Sequence, residues 1–411
     1  MRLFRIILLA LIFVLPHALC QGQEEEKSDK EIFDDALFFY ERNEHKEALF
    51  NFRELYINDP DNAMLNYKMA ICYLNIPGQE LKAIPHLKKA SKNISDNYRP
   101  YSFNEKDAPI HTLFYLGKAY RLSGDINKAV QTIQEFKASP YFLKYNENIV
   151  NRELKTCKRA RVLMDHPVDY KKKNLGSRIN DENKNEHPVV SGDEEKMVFT
   201  TSLKLYDALF YTKKYKGKWM EPKNISAEIG SDGDFYPTAL SFKGDELYLT
   251  AKNDKGNWDI YVSHFKNGRW STATPLGRSI NSRNNEKHAA ISKDGKTLYF
   301  VTDHRGKGKL DIYYSERNDD GSWSRARNLS QNINTEYNEH TPFITANDKI
   351  LFFSSEGHYN MGEYDVFYTS YDEEEDEWSK PQNIGYPLNT TTSNTFFCPV
   401  QNGKTLFLAK E

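Results

Sequence analysis

The feature that most constrains this chain is a unit of 50 to 56 residues that recurs four times after about residue 168. Each unit opens on a Ser or Thr, a turn and an apolar stretch. These are Ser191 before Met197-Val198-Phe199, Ser241 before Leu247-Tyr248-Leu249, Ser292 before Leu298-Tyr299-Phe300, and Thr345 before Leu351-Phe352-Phe353. Lys243-Gly244 and Asp294-Gly295 mark hairpins in two of them. An acidic residue then leads a second stretch of β type at Asp207, Asp259, Asp311 and Asp365, spaced 52, 52 and 54 residues apart. Trp219, Trp270, Trp323 and Trp378 follow, so four of the five tryptophans share one place in the repeat. Asn224-Ile225, Pro275-Leu276, Asn328-Leu329 and Asn383-Ile384 close the units.

A unit of this size, read as four short strands, cannot bury both faces of its sheet alone, and radial stacking is the arrangement that protects the edges. The spacing therefore predicts a β-propeller over residues 166–411. Phe396 to Lys410 supplies only the first two strands of a fifth unit, whereas Lys173-Asn174-Leu175-Gly176 with Ile179-Asn180 matches the end of one. Five blades closed by both ends of the region are expected, the last lacking its Trp and its Asp-Ile-Tyr strand. The Ser-x-Asp-Gly-Lys-x-Leu-Tyr-Phe and Asp-Ile-Tyr elements, clearest from Ser292 to Tyr313, resemble the WD40-like PD40 repeat, also found in the propeller of the Tol system's periplasmic protein.

The preceding residues carry a helical period. Ala36 and Phe39 with Ala48, Phe52 and Pro60 form one unit. Met69, Ala70 and Tyr73 with Ala83, Leu87 and Ala90 form a second, and Leu116, Gly117 and Tyr120 with Gly124, Ala129 and Ile133 a third. The small residues Ala36, Ala70 and Gly117 let paired helices approach closely, and Phe39, Tyr73 and Tyr120 fill the space beside them. The pattern resembles the tetratricopeptide repeat, of period ~34 residues. It departs from that repeat by an insertion from about Ser91 to Pro109. Ile149 to Leu163 is expected to cap the open end. Residues 29–165 are thus read as a TPR-like array, and the whole chain as an α-helical repeat domain followed by an all-β propeller.

The first residues read as a leader. Arg2 and Arg5 precede an apolar run from Ile6 to Leu15, too short to span a bilayer, and Ala18-Leu19-Cys20 offers small residues for cleavage. Residues 1–20 are expected to be a signal peptide and 21–28 a linker. The competing reading acylates Cys20 as a lipid anchor, but Leu19 stands where that motif wants a small residue. Either way the protein is exported. Its 56 Lys and Arg against 58 Asp and Glu give a net charge of −2, which offers no field to attract nucleic acid. Cys72, Cys157 and Cys398 remain after cleavage and read as small buried apolar residues.

No nucleophile elbow, phosphate loop, dinucleotide fingerprint or zincin helix is present, so catalysis is not expected, nor any cofactor. One constellation stands out. Glu186-His187, Glu286 with His288, and Glu339-His340 recur just before the first strand of three units, nearest the expected axis. Imidazoles and carboxylates converging on a channel mouth are metal-ligand chemistry. The simpler reading is polar residues that satisfy strand ends. Asp259, Asp311 and Asp365 are expected to make structural hydrogen bonds, the tryptophans to pack between blades, and His304 and His358 to lie solvated on longer loops.

In order and motif the chain is similar to Bacteroidetes cell-envelope proteins that combine tetratricopeptide and PD40 repeats, many with a C-terminal OmpA-like domain and some in type IX secretion assemblies. The resemblance implies an exported, noncatalytic scaffold at the periplasm or outer membrane whose partners are other envelope proteins. Peripheral contact with the outer membrane is compatible with it. No OmpA-like domain precedes Glu411, so direct peptidoglycan binding is not expected. The alternative is a propeller channel that holds a glycan, peptide or metal, with a hydrolase as a weaker third reading.

Overall fold

The computed structural model describes residues 27–140, 142–304 and 309–409. The leader and Cys20 lie outside them, and no helix among the described residues is long and apolar enough to cross a membrane.

Three antiparallel helix pairs come first: α1 (Asp29–Glu41) with α2 (His45–Asn58), α3 (Ala63–Leu74) with α4 (Ala83–Ala90), and α5 (Thr112–Leu122) with α6 (Ile126–Ala138). Ser28 and Glu31 form a capping box at the start of α1, and Asn62 and Asp125 cap α3 and α6 with their side chains. Ala36, Ala70, Ala48 and Ala129 are fully buried, and a Cβ on Gly117 would overlap Ile133. That close approach is why the small-residue positions recur. The turn after α5 needs a left-handed residue and has Gly124, at φ +80°.

The insertion folds back onto the array. Tyr98 packs edge-on against Tyr67 of α3, and Phe103 against Phe33 of α1. Ala63 N–H donates to the Lys106 carbonyl, and Lys106 pairs with Asp59. Buried Glu105 accepts from the amides of Arg99, Lys106 and Asp107, which fixes the loop from within.

Five sheets follow. Their first strands are Lys184–Val190, Tyr236–Leu240, Glu286–Ile291, Glu339–Ile344 and Phe397–Val400. In the first four sheets each such strand pairs antiparallel with a second, the second with a third, and short outer strands complete the blade. Trp270, Trp323 and Trp378 are buried in clusters that mix adjacent blades; Trp270, for example, meets Tyr211 of blade 1. In the fifth sheet, among the described residues, Phe397–Val400 pairs with Thr405–Leu408 and no further strand joins them. Both ends of the region meet there, because Leu175 and Ile179 pack with Cys398, Val400 and Phe407. They meet through side chains: among the described residues no backbone ladder joins them. Among the described residues Cys72, Cys157 and Cys398 are free and buried.

The last helix, α7 (Glu147–Asp165), covers the end of the array, yet its outer side is not left to solvent. Arg159 donates to the His358 carbonyl and to Asn360, and Arg152 lies 3.6 Å over the Tyr337 ring. Arg121 of α5, 1% exposed, pairs with Glu153 of α7 and Glu363 of blade 4 and donates to the Thr391 carbonyl. Lys118 also reaches Glu363, and Met361 is fully buried in the helical core. Burial by itself pushes the Glu363 carboxyl up, but Lys118 and Arg121 outweigh it and hold it down at about 2. His358 therefore departs from expectation: it is partly buried between Phe353 and Phe367, its Nε2 bonded to the Ile333 carbonyl.

Candidate functional site

Each of blades 1, 3 and 4 has a β-bulge in its first strand, where the register slips between Glu186 and Val189, Lys287 and Ala290, and His340 and Phe343. The bulge residues His187, His288 and Thr341 adopt φ of +50°, +50° and +41°. This kink re-aims side chains toward the axis. It also reveals a frame shift in the repeated Glu and His residues. His187 and His288 are equivalent, but the residue matching them in blade 4 is Thr341, and His340 matches Glu186 and Lys287.

The imidazoles nonetheless converge. His288 and His340 face each other with Nε2 atoms 3.1 Å apart, and His187 stacks edge-on to Phe396 with centroids 3.9 Å apart. Tyr236 lies 5.5 Å from His187 and 5.6 Å from His288. Phe396 also meets His288, and Tyr364 lies beside His340. Burial lowers all three imidazoles: His340 falls to about 4, and His288 is depressed well below its ordinary range by burial together with His340 and Lys287. A neutral pair of this kind shares one proton between facing nitrogens. The space that remains is about 20 Å³, bounded by His187, His288, Thr341, Phe396 and their neighbours, room for about one water.

The carboxylates do not join them. Glu339 accepts from Thr335 N–H, Thr335 Oγ1 and Ser355 Oγ, and Glu286 from Ser282 N–H, Ser282 Oγ and Thr302 Oγ1. Each ties the loop entering its blade to the end of the second strand. Burial raises both, Glu339 to about 7. The position equivalent to them in blade 1 is Asn185, which accepts from Thr201 Oγ1, and Glu186 pairs with Lys184 at the rim. Glu286 and Glu339 thus follow the simpler of the two readings, satisfying backbone and hydroxyl donors at strand ends, and with Glu186 at the rim none of the three carboxylates joins the histidines. Among the described residues no trio of His, Cys, Asp or Glu is arranged to hold a metal ion.

The repeated aspartates act likewise. Asp365 accepts from the amides of Met361 and Gly362 and from Asn383, and Asp259 accepts from Asn253. On the same face an open cleft of about 610 Å³ lies between Leu203–Asp207 and Asp232–Asp234, with Leu205 almost fully exposed. Of the axial aromatics, Tyr364 and Phe396 were missed in the sequence, whereas Tyr236 is legible there as part of Asp234-Phe235-Tyr236, which stands in the second unit in place of the His. Counting five residues back from Ser241 and Thr345 would have put Tyr236 beside His340.

Five sheets ranged about one axis define a β-propeller carried on a helical array. No family model matches the chain, and no curated protein does. Among solved structures it is similar to a putative TolB from Agrobacterium tumefaciens, at 15% identity over 54% of this chain and 71% of that one, with a TM-score of 0.37. TolB from Acinetobacter baumannii matches at 17% identity over 48% and 45%, TM-score 0.31. A thermostable family-43 glycoside hydrolase matches at 14% identity over 56% and 83%, TM-score 0.36.

Proposed function

We propose that this protein is an exported, noncatalytic adaptor of the cell envelope that binds other envelope proteins through its outer surfaces. The observation that carries this reading is the filled axis. The pocket of about 20 Å³ beside Phe396 and the imidazoles is too small for a glycan or peptide, and the neighbouring buried carboxylates are taken up by strand ends. The resemblance of the repeats to envelope proteins that carry tetratricopeptide and PD40 units supports the location, including an assembly related to type IX secretion. Partner contact is left to exposed apolar positions such as Phe50 and Ile57, which stand one above the other on α2, 73% and 77% exposed.

The experiment is crosslinking of the tagged full chain in its native envelope, followed by mass spectrometry, beside Phe50→Glu and Ile57→Lys variants. Stoichiometric envelope proteins, reduced in the variants, are expected. Recovery of none, together with turnover of a glycan or peptide that is lost on changing the acidic cleft at Asp207 and Asp234, would overturn it.

A further inference from the structure

Four of the five tryptophans share one place in the repeat, and the fifth, Trp258, stands elsewhere. It precedes Asp259, where Leu310 and Tyr364 precede Asp311 and Asp365, so no packing rule common to the blades asks for an indole there. The hairpin of blade 2 sets Lys252 directly across from it, with the ammonium 5.4 Å from the centre of the ring. Lys287 of blade 3, one residue before the bulge at His288, brings a second ammonium to 4.8 Å from the same ring. Tyr236 packs edge-on against the indole at 5.7 Å.

Both cations lack a counter-ion. Among the described residues neither ammonium pairs with a carboxylate or donates to an acceptor, and the ring is their one shared contact. Asp303, whose charge reaches Lys287, is taken up by Asn285, accepting from its N–H at 2.9 Å and its Nδ2 at 2.7 Å, while Asn285 Oδ1 accepts from Trp258 N–H. Burial lowers the Lys287 ammonium, Asp303 offsets part of that, and Lys252 adds to it. Five residues before the hairpin hydroxyls of blades 1 to 4 stand Glu186, Tyr236, Lys287 and His340. Glu186 is paired with Lys184 at 2.9 Å, which leaves Lys287 as the unpaired charge of that level. A half-buried cation without a partner is costly, and an anion placed between two of them relieves both.

We infer that Lys252, Lys287 and Trp258 form a carboxylate-binding site at the seam of blades 2 and 3, occupied by an acidic side chain of a partner protein. The indole is already covered by two ammoniums and by Tyr236, which favours an anion over a neutral sugar stacked on the ring. A single carboxylate is favoured over a polyanion such as a phospholipid surface, because the cleft lined by Asp207, Asp232 and Asp234 adjoins the site, Asp234 standing two residues before Tyr236. One seam that attracts an acid beside another that repels it selects an isolated acidic residue. The inference names a contact for the adaptor and rests on that reading.

The test has two arms, both on the full chain. In the first, protein labelled with 5-fluorotryptophan is titrated with acetyl-Ala-Glu-Ala-amide, the Trp258 fluorine signal being assigned by its loss in Trp258→Phe. A saturable shift at millimolar peptide is expected. It should weaken about tenfold or more with Gln in place of the peptide's Glu, or in Lys252→Gln with Lys287→Gln, the loss of charge-assisted hydrogen bonds. Lys252→Arg with Lys287→Arg should retain it, and so should Lys293→Gln, whose ammonium lies by Phe242. Lys252 is exposed and Lys287 half-buried, so folding of the variants is checked by an unchanged circular dichroism spectrum. In the second arm, crosslinking in the native envelope should recover partners with the wild type and several-fold less with the double Gln variant. Absence of the shift, equal shifts with the Glu and Gln peptides, a stronger response to inorganic phosphate than to the peptide, or undiminished partners in the double Gln variant would overturn the inference and leave the adaptor reading standing. No partner with the wild type would overturn the adaptor reading and the occupant named here, whatever the peptide does.

Discussion

Replacing Arg121 by Met should uncouple the two halves of the molecule. The guanidinium is 1% exposed and serves Glu153, Glu363 and the Thr391 carbonyl at once. Methionine keeps most of the side-chain volume but leaves Glu153, 11% exposed, without its cation and Glu363 with Lys118 alone. Removing one partner of a buried ion pair costs about 3–5 kcal/mol, mostly from the stranded charge. The loss should fall on the junction. All five tryptophans lie at or beyond residue 219, so their fluorescence reports the propeller, and ellipticity at 222 nm reports the helices. Urea titrations read by the two probes should coincide in the wild type and separate in the variant. Arg152→Ala, whose contacts with Tyr337 and the Glu356 carbonyl lie at the exposed rim, should cost less than about 1 kcal/mol. Coincident transitions in Arg121→Met with a loss below about 1 kcal/mol would refute the junction's role.

Three further outcomes follow from the packing and the titrating groups. Glu339, raised to about 7 from 4.5, keeps its proton in the fold while the unfolded chain releases it. This group therefore removes about 3 kcal/mol of stability as pH rises from 4.5 through 7, and Glu339→Gln should close that much of its gap to wild type across the window. A constant gap in urea midpoints at pH 5 and 7.5 would contradict it. Gly117→Val forces a side chain into Ile133 and should cost about 1–3 kcal/mol, seen as a lower helical melting temperature. Trp270→Ala, at the seam of blades 1 and 2, should cost about 3–5 kcal/mol, and half-buried Trp219→Ala clearly less. Equal losses would mean that the fifth blade's seam is as well filled as the others.

Much of the architecture was written in spacing. A period near 52 survives because blades 2 to 4 repeat the same hairpin hydroxyl, the same buried strand-leading Asp and the same buried Trp. The small residues of the helix pairs are legible for a similar reason: Ala36, Ala70 and Gly117 answer to local geometry. The axial site was legible only in part. Matching Glu and His by their letters placed His340 level with His288, whereas counting from Ser292 and Thr345 sets them one residue apart. A bulge alters which side a residue faces without altering composition, so the letters alone mislead. The fate of the carboxylates was hidden as well, since Glu339 is claimed by Thr335 and Ser355 across a fold that brings a loop and a strand end together. The junction left no local trace, because Arg121 and Glu363 lie 242 residues apart in the chain.

The insertion between α4 and α5 changes what kind of object the helical array is. Tyr98 and Phe103 occupy the surface that Tyr67 and Phe33 would otherwise present, while Glu363 and Met361 occupy the stretch around Lys118 and Arg121. An array against which its own loop and the neighbouring blade already pack behaves as a strut, a spacer of fixed length and angle rather than a hand that closes on a peptide. Substitutions at these contacts should register as lost rigidity, and those at exposed positions of α2 as changed company.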